Sequence, residues 1–126
     1  MSTRTLKGLE PPVTIRLYRR RFRKGLNFFV SFGLHLPRIL EAGDFFKFEG
    51  WDGVAQAVGV YQTSIGRLPD EVFRCYHDPG GRSRKGLIQI LREIRKKMTR
   101  GEDDGSESVT DDTLVVAVGF YLYRSY

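Results

Sequence analysis

The sequence predicts one small α+β domain: an antiparallel sheet with helices packed on one face. Three observations carry this. Apolar residues alternate with period two in two runs near the start of the chain, and the chain closes on a run apolar on both faces. One long segment near the middle repeats its apolar residues at helical spacing. No internal repeat divides the 126 residues, a length suited to a single core. The chain is 40% hydrophobic and 13% aromatic, enough apolar material for that core.

Residues 1–12 read as an N-terminal tail ending in Pro11-Pro12, and the domain spans 13–126. "VTIRLYRRR" alternates, with Val13, Ile15 and Leu17 on one side and Thr14, Arg16, Tyr18 and Arg20 on the other. "LNFFVSFGLHL" alternates too, with Leu26, Phe28, Val30, Phe32 and Leu34 sharing a face. The two runs are expected to form a β-hairpin that opens the sheet, with Gly25 supplying the left-handed turn residue. Setting Leu17 opposite Val30 puts Ile15 against Phe32 and Val13 against Leu34, so the apolar side chains share one face. Tyr18 then lies across from Phe29 on the outer face.

"LPRILEAGD" reads as a short helix with Pro37 near its start and Gly43 past its end. "FFKFEGW" reads as a strand that aligns Phe46 with Phe48. "DGVAQAVGVYQTSIG" mixes Ala and Gln with Val, Tyr and Gly; a helical start from Asp52 and a strand-like finish are expected. Pro69, Asp70 and Glu71 have the order of a helical first turn. "DPGGRSRKG" is a loop. It feeds the long amphipathic helix near 84–98, where Leu87, Ile90, Leu91, Ile94 and Met98 should face the core. Residues 101–112 are polar and acidic and read as a mobile loop. "LVVAVGFYLYRSY" is a closing strand, apolar on both faces and so expected to be covered on both.

Charge is unevenly spread. The net is +6, but residues 1–100 carry 20 Lys/Arg against 9 Asp/Glu, while the remainder is acidic. Arg outnumbers Lys by 15 to 6, and its planar fork of donors suits phosphate. Six basic residues fall between Arg16 and Lys24, more than the one or two that would protect a sheet edge. The expectation is a nucleic-acid or anion surface built from Arg16, Tyr18, Arg19, Arg20, Arg21, Arg23, Lys24 and Phe29. Arginines would hold phosphates while Tyr18 and Phe29 stack bases. "KGLNFFVSF" is not the RNA-recognition-motif signature, which needs one residue more and a strand and a helix before it.

"GGRSRKG" reads first as an ordinary turn capped by Ser83, and it lacks the P-loop pattern. Arg82, Arg84 and Lys85 still add charge, and a second phosphate contact is expected there. The acidic loop could fold back on the basic surface as a tethered anion.

Catalysis finds little in the pattern. The histidines are His35, read as a strand residue in an apolar run, and His77. Cys75 and His77 are not read as a nucleophile–base pair. Asp44, Glu49 and Asp52 lack metal-ligand spacing. No enzyme activity, cofactor, metal or small-molecule substrate is expected. A lone cysteine excludes an internal disulfide. The opening residues lack a secretory signal, and no apolar run reaches the ~18–20 residues that span a bilayer. The expected setting is intracellular, cytoplasmic or nuclear.

The favoured reading is therefore a non-enzymatic nucleic-acid-binding protein for RNA or single-stranded DNA. The alternative is a self-assembling structural protein of matrix or virion-associated type, using the same basic surface on anionic membrane or on nucleoprotein. A regulator that meets an acidic protein partner is a third class.

Overall fold

The computed structural model describes residues 13–17, 21–51, 53–99 and 108–123. They form a small α+β domain around one five-stranded mixed sheet. The strands are β1 (Val13–Ile15), β2 (Asn27–Ser31), β3 (Phe45–Phe48), β4 (Val54–Ser64) and β5 (Leu114–Tyr123). Their spatial order is β1-β3-β4-β5-β2. The helices are α1 (Leu36–Ile39), α2 (Asp70–Arg74) and α3 (Arg84–Thr99).

The opening hairpin does not form. β1 pairs in parallel with β3, setting Ile15 beside Phe48, and β2 pairs antiparallel with β5, setting Val30 beside Ala117. The two strands thus lie at opposite edges of the sheet. The physical reason is burial on two faces. A hairpin would leave Phe29 on the outer face, whereas the neighbour β5 offers apolar partners on both sides. Phe28 and Val30 enter one core cluster and Phe29 the other. Phe22 also belongs to the second cluster, with its ring centroid 5.3 Å from that of Phe48 and 6.0 Å from that of Phe120.

The first cluster joins one sheet face to α2 and α3 through Phe28, Val72, Leu87, Leu91 and Val115. The second holds Phe29, Phe46, Phe48 and Phe120 on the opposite face, where Leu36 and Leu40 of the α1 region cover them. Helices therefore sit on both faces, not one. β5 is buried on both faces from Val115 to Phe120, as its two-sided apolar pattern requires.

Three further expectations change. The segment from Asp52 has no helical start: residues 54–64 form the longest strand, whose register shifts between Ala57 and Gly59. That extra residue shifts the side chains facing the second cluster from Ala55 and Ala57 to the partly buried Val60, which hides the period in the sequence. His35 belongs to the turn entering α1 rather than to a strand. In α3, Leu87, Ile90 and Leu91 are buried as expected, but Met98 is 64% exposed where the helix runs past the core.

On the face that carries α2 and α3, the helix side, these two helices cover only part of the sheet. Alternation with the buried Phe46, Ala55, Ala57, Phe120 and their neighbours directs Phe45, Lys47, Gln56, Tyr121 and Tyr123 to the helix side. There they remain half-buried or exposed. Among the described residues, no helix is long and apolar enough to cross a membrane.

Candidate nucleic-acid interface

Two basic stretches, far apart in sequence, meet at one corner of the sheet. The first is the turn Arg21–Lys24, which leads into β2. Gly25 adopts φ +87°, the conformation that only glycine reaches without strain. Asn27, fully buried, then fixes the turn through its side-chain amide. Its Oδ1 accepts from the Arg23 N–H at 2.9 Å, and its Nδ2 donates to the carbonyls of Arg23 at 2.9 Å and Gly25 at 3.2 Å. The Arg23 guanidinium donates to the Leu26 carbonyl. Arg21 and Lys24 stay exposed.

The second stretch follows α2. Residues Cys75–His77 lie along the outer edge of β2: the Phe28 N–H donates to the Cys75 carbonyl at 2.8 Å, and the His77 N–H donates to the Phe28 carbonyl at 3.0 Å. The His77 ring closes the connection, with Nδ1 2.9 Å from the Arg21 carbonyl. A carbonyl can only accept, so the proton sits on Nδ1. Arg82 Nε donates to the Tyr76 carbonyl at 3.0 Å. Arg21 and Arg82 are thus fastened to the same segment, Tyr76–Asp78.

That segment is buried and polar. His77 is 1% exposed, its ring 4.6 Å from that of Tyr76 and 6.3 Å from that of Phe22. Burial pushes its pKa below the ordinary imidazole value; Asp78 opposes this shift and Arg82 adds to it. Burial, with the charge of Asp78, raises the Tyr76 phenol above its usual range. Among the described residues, His77 Nε2 and Asp78 Oδ2 are buried with no hydrogen-bond partner. Each is an expensive group to bury, and together they mark a segment held in place by its surroundings.

The expected backbone cradle in the glycine-rich loop is already filled from within. Asp78 Oδ1 accepts from the Gly80 N–H at 2.9 Å, the Asp78 carbonyl from Gly81 at 3.0 Å, and the Pro79 carbonyl from Arg82 at 3.3 Å. Ser83 Oγ accepts from the Gly86 N–H at 3.0 Å, capping α3 as the sequence suggested. Any anion here would meet side chains. Arg82, Arg84 and Lys85 are all exposed, with Arg84 3.9 Å from Asp111.

The remaining sequence-derived residues divide. Phe29 is 1% exposed and packs in the second cluster against Phe46, Phe48 and Phe120, so it stacks no base. In the sheet Phe29 pairs with Val118 of β5. Tyr18, Arg19 and Arg20 lie outside the described residues. Arg16 stands apart from the turn, 3.9 Å from Glu49, both side chains well exposed. Arg16 also borders an apolar groove of about 990 Å³ along the outer edge of β2, whose described walls include Val30, Phe32, Leu91 and Lys97.

Of the acidic segment, 108–113 is docked: Val109 is buried, its carbonyl accepts from Arg92, and the Asp111 carbonyl accepts from Gly66. Residues 101–107, which carry most of the expected fold-back onto the basic surface, lie outside the described residues.

The positioning residues Asn27 and His77 escaped the sequence reading. A polar residue directly after a Gly turn and inside an apolar run was the available signal for Asn27. His77 had none, because its partner lies 56 residues away.

The chain matches no known family model, no curated protein and no solved structure.

Proposed function

We propose that this is a non-enzymatic nucleic-acid-binding protein whose phosphate contacts come from the corner formed by Arg21, Arg23, Lys24, Arg82, Arg84 and Lys85. The observation that supports this most is the tie between the two basic stretches through Tyr76–Asp78. It converts two separate runs of charge into one surface. The backbone beneath is held by Asn27 and His77, so less freedom is lost when a phosphate binds. Arg forks and Lys ammonium groups hold phosphate oxygens irrespective of base identity. The reading accounts for an Arg-rich chain of net charge +6.

Affinity for an oligonucleotide should fall steeply with salt, by up to about a thousand-fold between ~50 mM and ~200 mM if all six cations engage. The variant Arg21→Glu/Lys24→Glu/Lys85→Glu alters three exposed side chains. It should lose most of that affinity and flatten the salt dependence. Fluorescence anisotropy on a labelled oligonucleotide reads both. Salt-independent binding, or a variant as tight as the parent, would refute the proposal. Parallel co-sedimentation with phosphatidylserine vesicles tests the membrane arm of the matrix-type alternative, which vesicle binding without oligonucleotide binding would favour.

A further inference from the structure

We infer that the bare half of the helix-side sheet face is a stacking platform for the bases of a single-stranded nucleic acid. The inference rests on the phosphate-binding reading above and adds to it which form of nucleic acid is held, and where. Phe45, Tyr121 and Tyr123 are 36%, 44% and 44% exposed. Isolated exposed aromatics are ordinary on a protein surface, but three on one sheet face form a contiguous patch.

The register gathers them. Phe45 and Tyr121 both pair with Gln56, one from each side, and Tyr123 pairs with Val54. The Phe45 and Tyr123 rings approach to 5.6 Å between centroids. The Tyr123 hydroxyl donates to Gln56 Oε1 at 2.6 Å, and Gln56 Nε2 donates to the Gly43 carbonyl at 3.1 Å. Both ends of the amide are therefore engaged, and they orient the Tyr123 ring before any ligand arrives. Aromatic faces on an open sheet, with Tyr123 held at 62° to Phe45, offer stacking surfaces to unpaired bases, whose π-faces are hidden in a duplex.

Charge favours a nucleic acid over another apolar surface. Lys47 alternates with Phe46 and Phe48 and so shares the platform side. The paired strand residues that make up the platform include no acid; Glu49 lies beyond the end of β3 and is 3.9 Å from Arg16. The platform also runs towards the basic corner. Asn27 pairs with Phe120, so extending the register by one residue sets Leu26 beside Tyr121. The Arg21–Lys24 turn therefore borders the aromatic patch, and a strand crossing it would lay bases on the rings and phosphates on the turn.

Anisotropy titrations with oligo(dT) and with a duplex of equal length test this. The parent protein should prefer the single strand. Tyr121→Ala/Tyr123→Ala should weaken oligo(dT) binding by about ten-fold or more per ring while leaving duplex binding unchanged. Tyr121→Phe/Tyr123→Phe should restore the single-strand affinity. Phe45→Ala, on a neighbouring strand, makes the same test if the double alanine variant fails to fold. Equal affinity of parent and alanine variants for oligo(dT) would overturn the platform while leaving the phosphate corner standing. Absence of binding to either nucleic acid would overturn both. A parent dimer that the alanine substitutions split, seen by light scattering, would assign the face to self-association instead.

Discussion

His77 links the pH of the medium to the basic corner. Its Nδ1–H holds the Arg21 carbonyl, and its Nε2 is buried without a partner among the described residues. Protonation would place a charge inside the Phe22–Tyr76 packing, beside Arg82, and the hydrogen bond to the Arg21 carbonyl and the charge of Asp78 only partly offset its burial. The folded imidazole therefore has a lowered pKa, while the unfolded chain titrates near the ordinary value of about 6.5. Below about pH 6.5 the unfolded state takes up a proton that the folded state refuses, so stability falls as pH falls through that point. Above it, this contribution is complete and flat. Urea unfolding at a series of pH values should show the fall, and His77→Phe should remove its share of the slope. An unchanged slope in that variant would show that other groups carry the acid sensitivity.

Glycine 86 matters at the scale of the element, where the Pro79–Gly81 turn meets α3. A β-carbon at Gly86 would collide with the Gly80 backbone carbonyl and crowd Ser83 Oγ at 3.0 Å. The close approach of turn and helix sets where Arg82, Arg84 and Lys85 project. Gly86→Ala should destabilise the fold by roughly 1–3 kcal/mol through overpacking, against a slight gain expected from helix propensity alone. Thermal unfolding of the variant checks the sign.

Elements were also the level at which the sequence was most legible. Short helices at Leu36–Ile39 and Asp70–Arg74, the long helix from Arg84 and the doubly buried closing strand all carry their signals locally, in Pro, Gly and acidic positions and in apolar spacing. Strand pairing is not local. Val13–Ile15 and Asn27–Ser31 have matching patterns, yet each finds a better apolar partner elsewhere, β3 for one and β5 for the other. The same cause misplaced Phe29: alternation says which residues share a face, but not whether the opposite face is also covered. The bulge in β4 concealed a strand for a different reason, by breaking its period.

At the scale of the whole molecule, the two buried clusters and the bare aromatic half divide the labour. The clusters hold the sheet: Phe120 alone meets the rings of Phe22, Phe29, Phe46 and Phe48. The sheet in turn fixes the corner and the platform relative to one another, through β2 and β5. The basic residues were visible in the sequence, but their convergence was not, because it depends on a contact between residues 21 and 77. Amide chemical-shift mapping with a single-stranded oligonucleotide tests whether the two basic stretches act as one surface. The expected result is one contiguous set of perturbed residues covering Arg21–Lys24, Arg82–Lys85 and Tyr121–Tyr123. Perturbations confined to the far end of α3, around Lys96 and Lys97, with the corner silent, would contradict it.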